Sequence, residues 1–222
     1  PANIFVCSLA DLFGAWVPDS WIEEVFKACD AAPWHNYLFM TRYPQRYELM
    51  SSMLRLPCSR NFWYGTTVTR NADLDRIVYL PGKQHNQFIS IEPLLEEIDI
   101  SDIDFMDWII IGSETGSRRR KVKPKREWIE AIVRTAGAAE IPIFMNYSKE
   151  LEEVWGKDLI QELPAGLTRP EDKPIPHCRE CEYCKITREG KRGNRHECKK
   201  ERRHIPGRYA RTSPEWCPLR SE

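Results

Sequence analysis

Residues 88–93 read Phe-Ile-Ser-Ile-Glu-Pro, and residues 107–116 read Asp-Trp-Ile-Ile-Ile-Gly-Ser-Glu-Thr-Gly. Each stretch is a short apolar run that ends in a small polar residue, a carboxylate and a Pro or Gly. Apolar runs of this length are typical of strands buried on both faces. A carboxylate directly after such a strand suits the mouth of a βα barrel, where polar strand ends converge on a ligand.

Strand-like runs of this kind alternate with helical patterns along the chain. The predicted strands are residues 3–8, 36–41, 62–68, 87–92, 107–112 and 141–146. Helical patterns follow at Pro18, near residues 45–55, and at residues 71–80 and 125–137. The alternation indicates βα units and a parallel sheet. We therefore predict an α/β fold, a partial (β/α) TIM-like barrel of about six parallel strands with a small C-terminal Cys-rich metal-binding module.

Composition divides the 222 residues into three parts. Residues 1–162 carry the predicted barrel, the Pro-rich residues 163–176 are a predicted linker, and residues 177–222 hold the Cys-rich module. Residues 171–222 contain 14 Lys/Arg and 9 Asp/Glu, although the whole chain balances at 33 of each. A basic tail on an acidic body indicates nucleic-acid contact or simple solvation, and charge alone does not separate the two.

The chain shows neither a signal peptide nor an apolar run of membrane length, so we expect a cytoplasmic protein without a membrane partner. Thiols stay reduced in that compartment. Clustered cysteines there indicate metal ligation rather than disulfides.

The tail contains two overlapping C-x-x-C motifs, followed by two more cysteines. The five candidate metal ligands are Cys178, Cys181, Cys184, Cys198 and Cys217. We predict structural Zn²⁺ on four of them, Cys178, Cys181, Cys198 and Cys217, with Cys184 as an alternative to Cys178. Metal would supply the stability that a short polar segment lacks. An iron–sulfur cluster is the main alternative, and unligated thiols in a disordered tail are the third.

Three carboxylates, Asp11, Glu92 and Glu114, follow predicted strands. Because parallel strands share one carboxyl edge, we expect the three to converge as candidate catalytic groups that bind a ligand's amine or hydroxyls or transfer protons. The alternative is helix capping and loop hydrogen bonds, most of all for Asp11. Further candidate ligand-binding residues at strand ends are Ser8, Thr41, Arg42, Thr66, Ser90, Gly112, Ser113 and Asn146.

Two basic features are candidates for anion contact. Arg42 suits a bidentate clamp on a carboxylate or phosphate, with an ordinary salt bridge as the alternative. The run Arg118, Arg119, Arg120 and Lys121 follows the glycine-rich stretch and suits nucleic-acid phosphates, with a solvated loop as the alternative.

Five motifs, taken together and in this order, resemble the phage and bacterial gene-product thirty-seven/sixty-eight family of unknown function. They are Ile-Phe-Val-Cys-Ser-Leu-Ala-Asp-Leu-Phe at 4–13, Leu-Phe-Met-Thr-Arg-Tyr-Pro-Gln-Arg at 38–46, Trp-Tyr-Gly-Thr-Thr-Val at 63–68, Ser-Ile-Glu-Pro-Leu-Leu at 90–95 and Trp-Ile-Ile-Ile-Gly-Ser-Glu-Thr-Gly at 108–116. Several motifs in fixed order are far more specific than any one of them.

The resemblance implies a radical-SAM-type βα barrel. In that family an upstream segment with closely spaced cysteines would hold a [4Fe–4S] cluster whose open iron takes S-adenosylmethionine. The printed sequence begins after the expected position of this segment. We expect that the segment was lost, that a partner chain supplies it, or that the protein is a relative without a cluster.

Two functions follow as hypotheses. The first is a radical-SAM-like enzyme, incomplete in this chain, that acts on nucleic acid or a nucleotide and carries a structural zinc module. The second is a non-enzymatic module that binds nucleic acid or a partner, built on a degenerate barrel.

Overall fold

The computed structural model describes residues 2–115, 121–167, 184–188 and 194–205. The chain divides into two compact units, Ala2–Thr168 and a second unit that begins at Arg169. None of the helices described is both long and apolar enough to cross a membrane.

The first unit is built on six strands that alternate with helices. The strands are β1 (Asn3–Val6), β2 (Asn36–Thr41), β3 (Phe62–Thr67), β4 (Asn86–Ile91), β5 (Trp108–Ile111) and β6 (Ile143–Met145). The helices are α1 (Asp19–Asp30), α2 (Gln45–Ser52), a 3₁₀ helix (Asn71–Tyr79), α3 (Arg126–Ala138) and α4 (Lys149–Trp155).

All six strands pair parallel, and their order in the sheet follows their order in the chain. The sheet curls into a half-barrel. The prediction of six parallel strands in βα units is therefore confirmed. β6 begins at Ile143 rather than at the predicted residue 141, because Pro142 has no backbone N–H to donate to the ladder.

The two edges of this sheet differ. Along β6, the backbone N–H of Met145 donates to Ile160 O at 2.7 Å, and that of Glu162 donates to Ile143 O at 2.8 Å. Residues 160–162 therefore cover the β6 edge in an antiparallel direction. β1 pairs only with β2 within the part of the chain that the structure describes.

The outer face of the sheet carries the larger core, which the helices cover. Alternate strand residues such as Phe39, Tyr64 and Ile89 are buried there. Helix α1 contributes Ile22, Phe26 and Cys29, and α3 contributes Ile129, Ile132 and Ala136. These residues recur at helical spacing, so each helix presents one apolar stripe to the sheet.

The inner face carries a second, largely aromatic core. Leu38, Trp63, Phe88, Trp108 and Ile110 are buried there. Within the predicted linker, Leu163 and Leu167 pack on the same face. A Cβ on Gly65 would lie 2.5 Å from the Phe88 ring, so the missing side chain on β3 makes room for this ring.

The second unit contains a three-stranded antiparallel sheet that the sequence patterns did not indicate. Its strands are β7 (Cys184–Arg188), β8 (Asn194–Cys198) and β9 (Arg203–Ile205), in the order β7-β8-β9. Cys184 stands opposite Cys198 in the β7–β8 register, and Ile205 is buried.

Gly65→Ala should lower the free energy of unfolding by about 1–3 kcal/mol, because the new methyl group overlaps the Phe88 ring. The matched control is Gly137→Ala in α3, where a Cβ meets nothing within 4 Å. That control should raise the free energy of unfolding by about 0.4–1 kcal/mol. Chemical denaturation of both variants measures the contrast, and equal effects would contradict this packing.

Candidate ligand site at the carboxyl edge of the sheet

Glu92 and Asn146 meet at the carboxyl edge of the half-barrel. Glu92 directly follows β4, and Asn146 directly follows β6. The side-chain Nδ2 of Asn146 donates to Oε1 of Glu92 at 2.9 Å. Both residues continue the side-chain alternation of the inner face. Phe88, four positions before Glu92, and Phe144, two positions before Asn146, lie on that face. This contact joins two strands that are not neighbours in the sheet.

Gly112, at the end of the intervening strand β5, makes the contact possible. A Cβ on this residue would lie 2.4 Å from Cδ and 2.6 Å from Oε1 of Glu92. The Glu92 side chain therefore lies directly over the end of β5. The backbone is fixed on both sides, since Gly112 N–H donates to Ile91 O at 3.1 Å and Leu94 N–H donates to Gly112 O at 2.9 Å.

The Glu92 carboxyl is half-buried, and burial raises its pKa, while the hydrogen bond from Asn146 opposes the shift. Among residues 2–115 and 121–167, no Lys or Arg forms an ion pair with Glu92. A desolvated carboxyl without a cation takes up a proton more readily than a free one. Such a group is suited to accept a hydrogen bond from a ligand or to transfer a proton.

Asp11 holds its own loop together. Its Oδ1 accepts hydrogen bonds from Phe13 N–H at 3.0 Å and from Thr41 Oγ1 at 2.6 Å, and its Oδ2 accepts one from Arg42 N–H at 2.9 Å. Thr66 Oγ1 in turn donates to Thr41 O at 2.8 Å. Asp11, Thr41 and Thr66 thus form a network that ties the β1 loop to the ends of β2 and β3, the loop role that the sequence left open for Asp11.

The residues after β5 connect the sheet to α4. Glu114 Oε2 accepts a hydrogen bond from Val122 N–H at 3.2 Å. The hydroxyl of Ser113 is 2.6 Å from that of Ser148, which also accepts from Leu151 N–H at 3.1 Å as the N-cap of α4. Ser113 therefore anchors the first turn of α4 to the end of β5.

The remaining candidates lie on the same edge in different settings. Ser90 is buried at the end of β4, whereas Ser8 and Arg42 are exposed. Lys121 Nζ is 2.8 Å from Glu150 Oε1, so the last residue of the basic run forms an ion pair with helix α4. Arg118, Arg119 and Arg120 lie outside the described residues.

Sequence reasoning missed helix α4 and its cap. The signal was present, since Ser148 is a preferred N-cap residue and Glu150 and Glu152 stand in the first turn, where the helix dipole favours negative charge. It also missed the aromatic pair of Trp16 and Tyr43, whose rings lie 5.5 Å apart in the loops that follow β1 and β2.

The predicted metal ligands are described only in part. Cys184 and Cys198 face each other across β7 and β8, while Cys178, Cys181 and Cys217 lie outside the described residues. Within the described part, no group of three or more His, Cys, Asp or Glu side chains is placed to hold a metal ion.

Glu92→Gln should raise the free energy of unfolding at about pH 7 relative to the unsubstituted protein, and the difference should shrink toward about pH 4. The folded-state pKa of Glu92 is raised, so its stabilising contribution is present when the carboxyl is protonated and is lost as pH rises through that pKa. Urea denaturation across this range measures the difference.

The control is Glu24→Gln, an exposed carboxylate on α1, which should change the free energy of unfolding by less than about 0.5 kcal/mol. A Glu92→Gln variant that is less stable at neutral than at acid pH, relative to the unsubstituted protein, would show that the charged form is stabilising.

Comparison with known proteins gives one result, a match to a family model. The search of curated proteins and the search of solved structures both gave no match. One family model, described as a protein of unknown function (DUF5131), matches residues 1–213, which include both the half-barrel and the antiparallel sheet. The chain is therefore a member of the DUF5131 family.

Proposed function

We propose that this chain is part of a radical-SAM-like barrel protein that acts on nucleic acid or a nucleotide, and that its ligand binds at the carboxyl edge of the half-barrel. One observation carries the proposal. Glu92 is half-buried, is held by Asn146 across the bare backbone of Gly112, and has no cation paired with it among the described residues.

The chemistry of this edge supports the binding of a polar ligand. Parallel α/β sheets bind ligands outside the carboxyl ends of their strands. There Glu92 accepts hydrogen bonds from an amine or from ribose hydroxyls, and burial raises its pKa, which makes the carboxylate a better proton acceptor than an exposed one. Asn146 keeps the carboxyl in place, and its exposed amide is available to the same ligand.

The proposed cofactors are S-adenosylmethionine and a [4Fe–4S] cluster. Cluster ligation takes several cysteines close together. The cysteines of the barrel unit, Cys7, Cys29 and Cys58, do not form such a group within the described residues. The proposed cluster is therefore held by a segment upstream of residue 1 or by a partner chain.

For the C-terminal unit we propose a structural zinc site. The cross-strand pairing of Cys184 with Cys198 supports Cys184 as one of its ligands in place of Cys178. Residues opposite each other on antiparallel strands have Cβ atoms about 4.5–5.5 Å apart, a separation at which two thiolates can share one tetrahedral metal.

The second candidate is a non-enzymatic binding module on the same scaffold. The hydrogen bonds of Asp11 support it, because three donors already occupy that carboxylate and leave fewer acid–base groups for chemistry.

Titration calorimetry with S-adenosylmethionine tests the ligand site. Glu92→Gln and Glu114→Gln should each weaken binding by about 10-fold, because each replaces a charged acceptor by a neutral one, and neither substitution should lower the melting temperature. Gly112→Ala should weaken binding as strongly as Glu92→Gln, because the methyl group displaces the Glu92 carboxyl.

Glu24→Gln serves as the control and should bind like the unsubstituted protein. If all four variants bind S-adenosylmethionine equally, the carboxyl edge is not the ligand site. A large loss of stability in Glu92→Gln or Glu114→Gln would instead make that side chain structural.

Metal analysis of the purified protein tests the zinc site, with about one zinc per chain expected. Cys198→Ser and Cys184→Ser should each remove most of that zinc, whereas Cys58→Ser in the barrel unit should leave it unchanged. Iron with a broad visible absorption band would overturn the zinc assignment.

A further inference from the structure

Two exposed aromatic side chains, Trp16 and Tyr43, lie in the loops that follow β1 and β2. Trp16 is 68% exposed and Tyr43 is 41% exposed, and their rings lie 5.5 Å apart in an edge-to-face arrangement. Adjacent exposed rings form a contiguous apolar patch, and such patches mark interaction sites. These two rings, here called the aromatic pair, lie on the same edge of the sheet as Glu92.

The Trp16 ring is held in place although it is exposed. A Cβ on Gly14 would lie 2.5 to 2.8 Å from three of its ring carbons, so one part of the indole rests directly on the Gly14 backbone. Val17 N–H donates to Gly14 O at 2.9 Å, which closes the turn that carries Trp16. The indole is thus supported by the backbone and by Tyr43 while most of its surface faces solvent.

The Asp11 network fixes the two segments that carry the pair. Asp11 accepts from Phe13 N–H in the first segment and from Arg42 N–H in the second. Gly14 N–H donates to Asp11 O at 3.3 Å. Because Asp11 bonds to both loops, the relative position of Trp16 and Tyr43 is set before any ligand arrives.

An exposed cation adjoins the aromatic pair in the chain. Arg42 immediately precedes Tyr43, is exposed, and forms no ion pair with a residue that the structure describes. Its neighbour Arg46 is in a different state, because Asp19 pairs with it. In a nucleotide, a base that can stack on an aromatic ring is joined to a phosphate that can pair with a guanidinium. An exposed ring and an unpaired Arg in adjacent positions suit these two groups.

We propose that Trp16, held edge-to-face by Tyr43, stacks an unpaired base of single-stranded nucleic acid while Arg42 contacts the adjacent phosphate. The inference rests on the proposed function and deepens it, since it names the form of the substrate and the residues that hold it. Stacking on aromatic side chains accepts any base, but it requires a base free of its own helical stack. Single strands therefore fit the pair, and duplexes do not.

Fluorescence anisotropy with a labelled single-stranded oligonucleotide of about 12 nucleotides tests the inference. Trp16→Ala should weaken binding by about 10-fold or more, and Trp16→Phe should keep most of the affinity because an aromatic face remains. The matched control is Trp34→Ala: Trp34 is 62% exposed but precedes β2, at the opposite edge of the sheet, so its loss should leave the affinity unchanged.

Salt dependence tests the phosphate contact. The affinity of the unsubstituted protein should fall steeply between about 50 mM and 200 mM salt. Arg42→Gln should reduce the magnitude of the slope of log affinity against log salt concentration by about 1, the contribution of one phosphate contact. Trp16→Ala should leave that slope unchanged.

The outcomes separate the inference from the proposed function. If the unsubstituted protein binds the single strand and Trp16→Ala binds equally well, or if Trp34→Ala loses as much affinity, the aromatic pair is not the contact, although the substrate class stands. Binding of a duplex as tight as of the single strand also overturns the inference. If the unsubstituted protein does not bind the oligonucleotide at all, both the inference and the nucleic-acid part of the proposed function fail.

Discussion

The absence of a side chain at Gly112 is the constraint on which the candidate site depends. Strands β4 and β6 are two positions apart in the sheet, roughly 9–10 Å, with β5 between them. Glu92 and Asn146 meet only because the chain at the end of β5 presents bare backbone, and any Cβ there would occupy the space of the Glu92 carboxyl. The same contact keeps the carboxyl half-buried, and that burial raises its pKa. The missing side chain at Gly112 therefore permits both the Glu92–Asn146 contact and the burial that raises the Glu92 pKa.

A second glycine, Gly65 on β3, plays a similar part on the inner face of the sheet. Gly65 leaves room for the Phe88 ring, so the concave side of the half-barrel is filled by aromatic rings rather than by a void. These packed rings lie on the same strands whose ends carry the polar residues. Closed βα barrels also have packed interiors, and their polar residues gather at the carboxyl edge.

The polar groups along that edge divide into two sets. Asp11, Thr41 and Thr66 bond to one another or to backbone, and they hold loops in position. Glu92 bonds to a single amide and is paired with no cation among the described residues. The difference matters because a carboxylate already satisfied by several donors has little capacity left for a ligand, whereas a desolvated one with a single donor has much. Asp11, in the first set, also holds the aromatic pair in position, since it accepts hydrogen bonds from both loops that carry Trp16 and Tyr43.

The sequence by itself determined the six strands, their parallel pairing and the edge at which the polar residues gather. These features follow from local periodicity, from apolar runs that end in Gly or Pro, and from the rule that βα units place carboxyl ends together. Only the tertiary structure decided which of the gathered carboxylates is bonded to its own loop and which is paired with Asn146. It also decided that Cys184 faces Cys198, and that Trp16 lies against Gly14 beside Tyr43. The physical reason is that these contacts join residues about 14 to 54 positions apart or depend on the exact course of a turn, and local pattern carries no record of either.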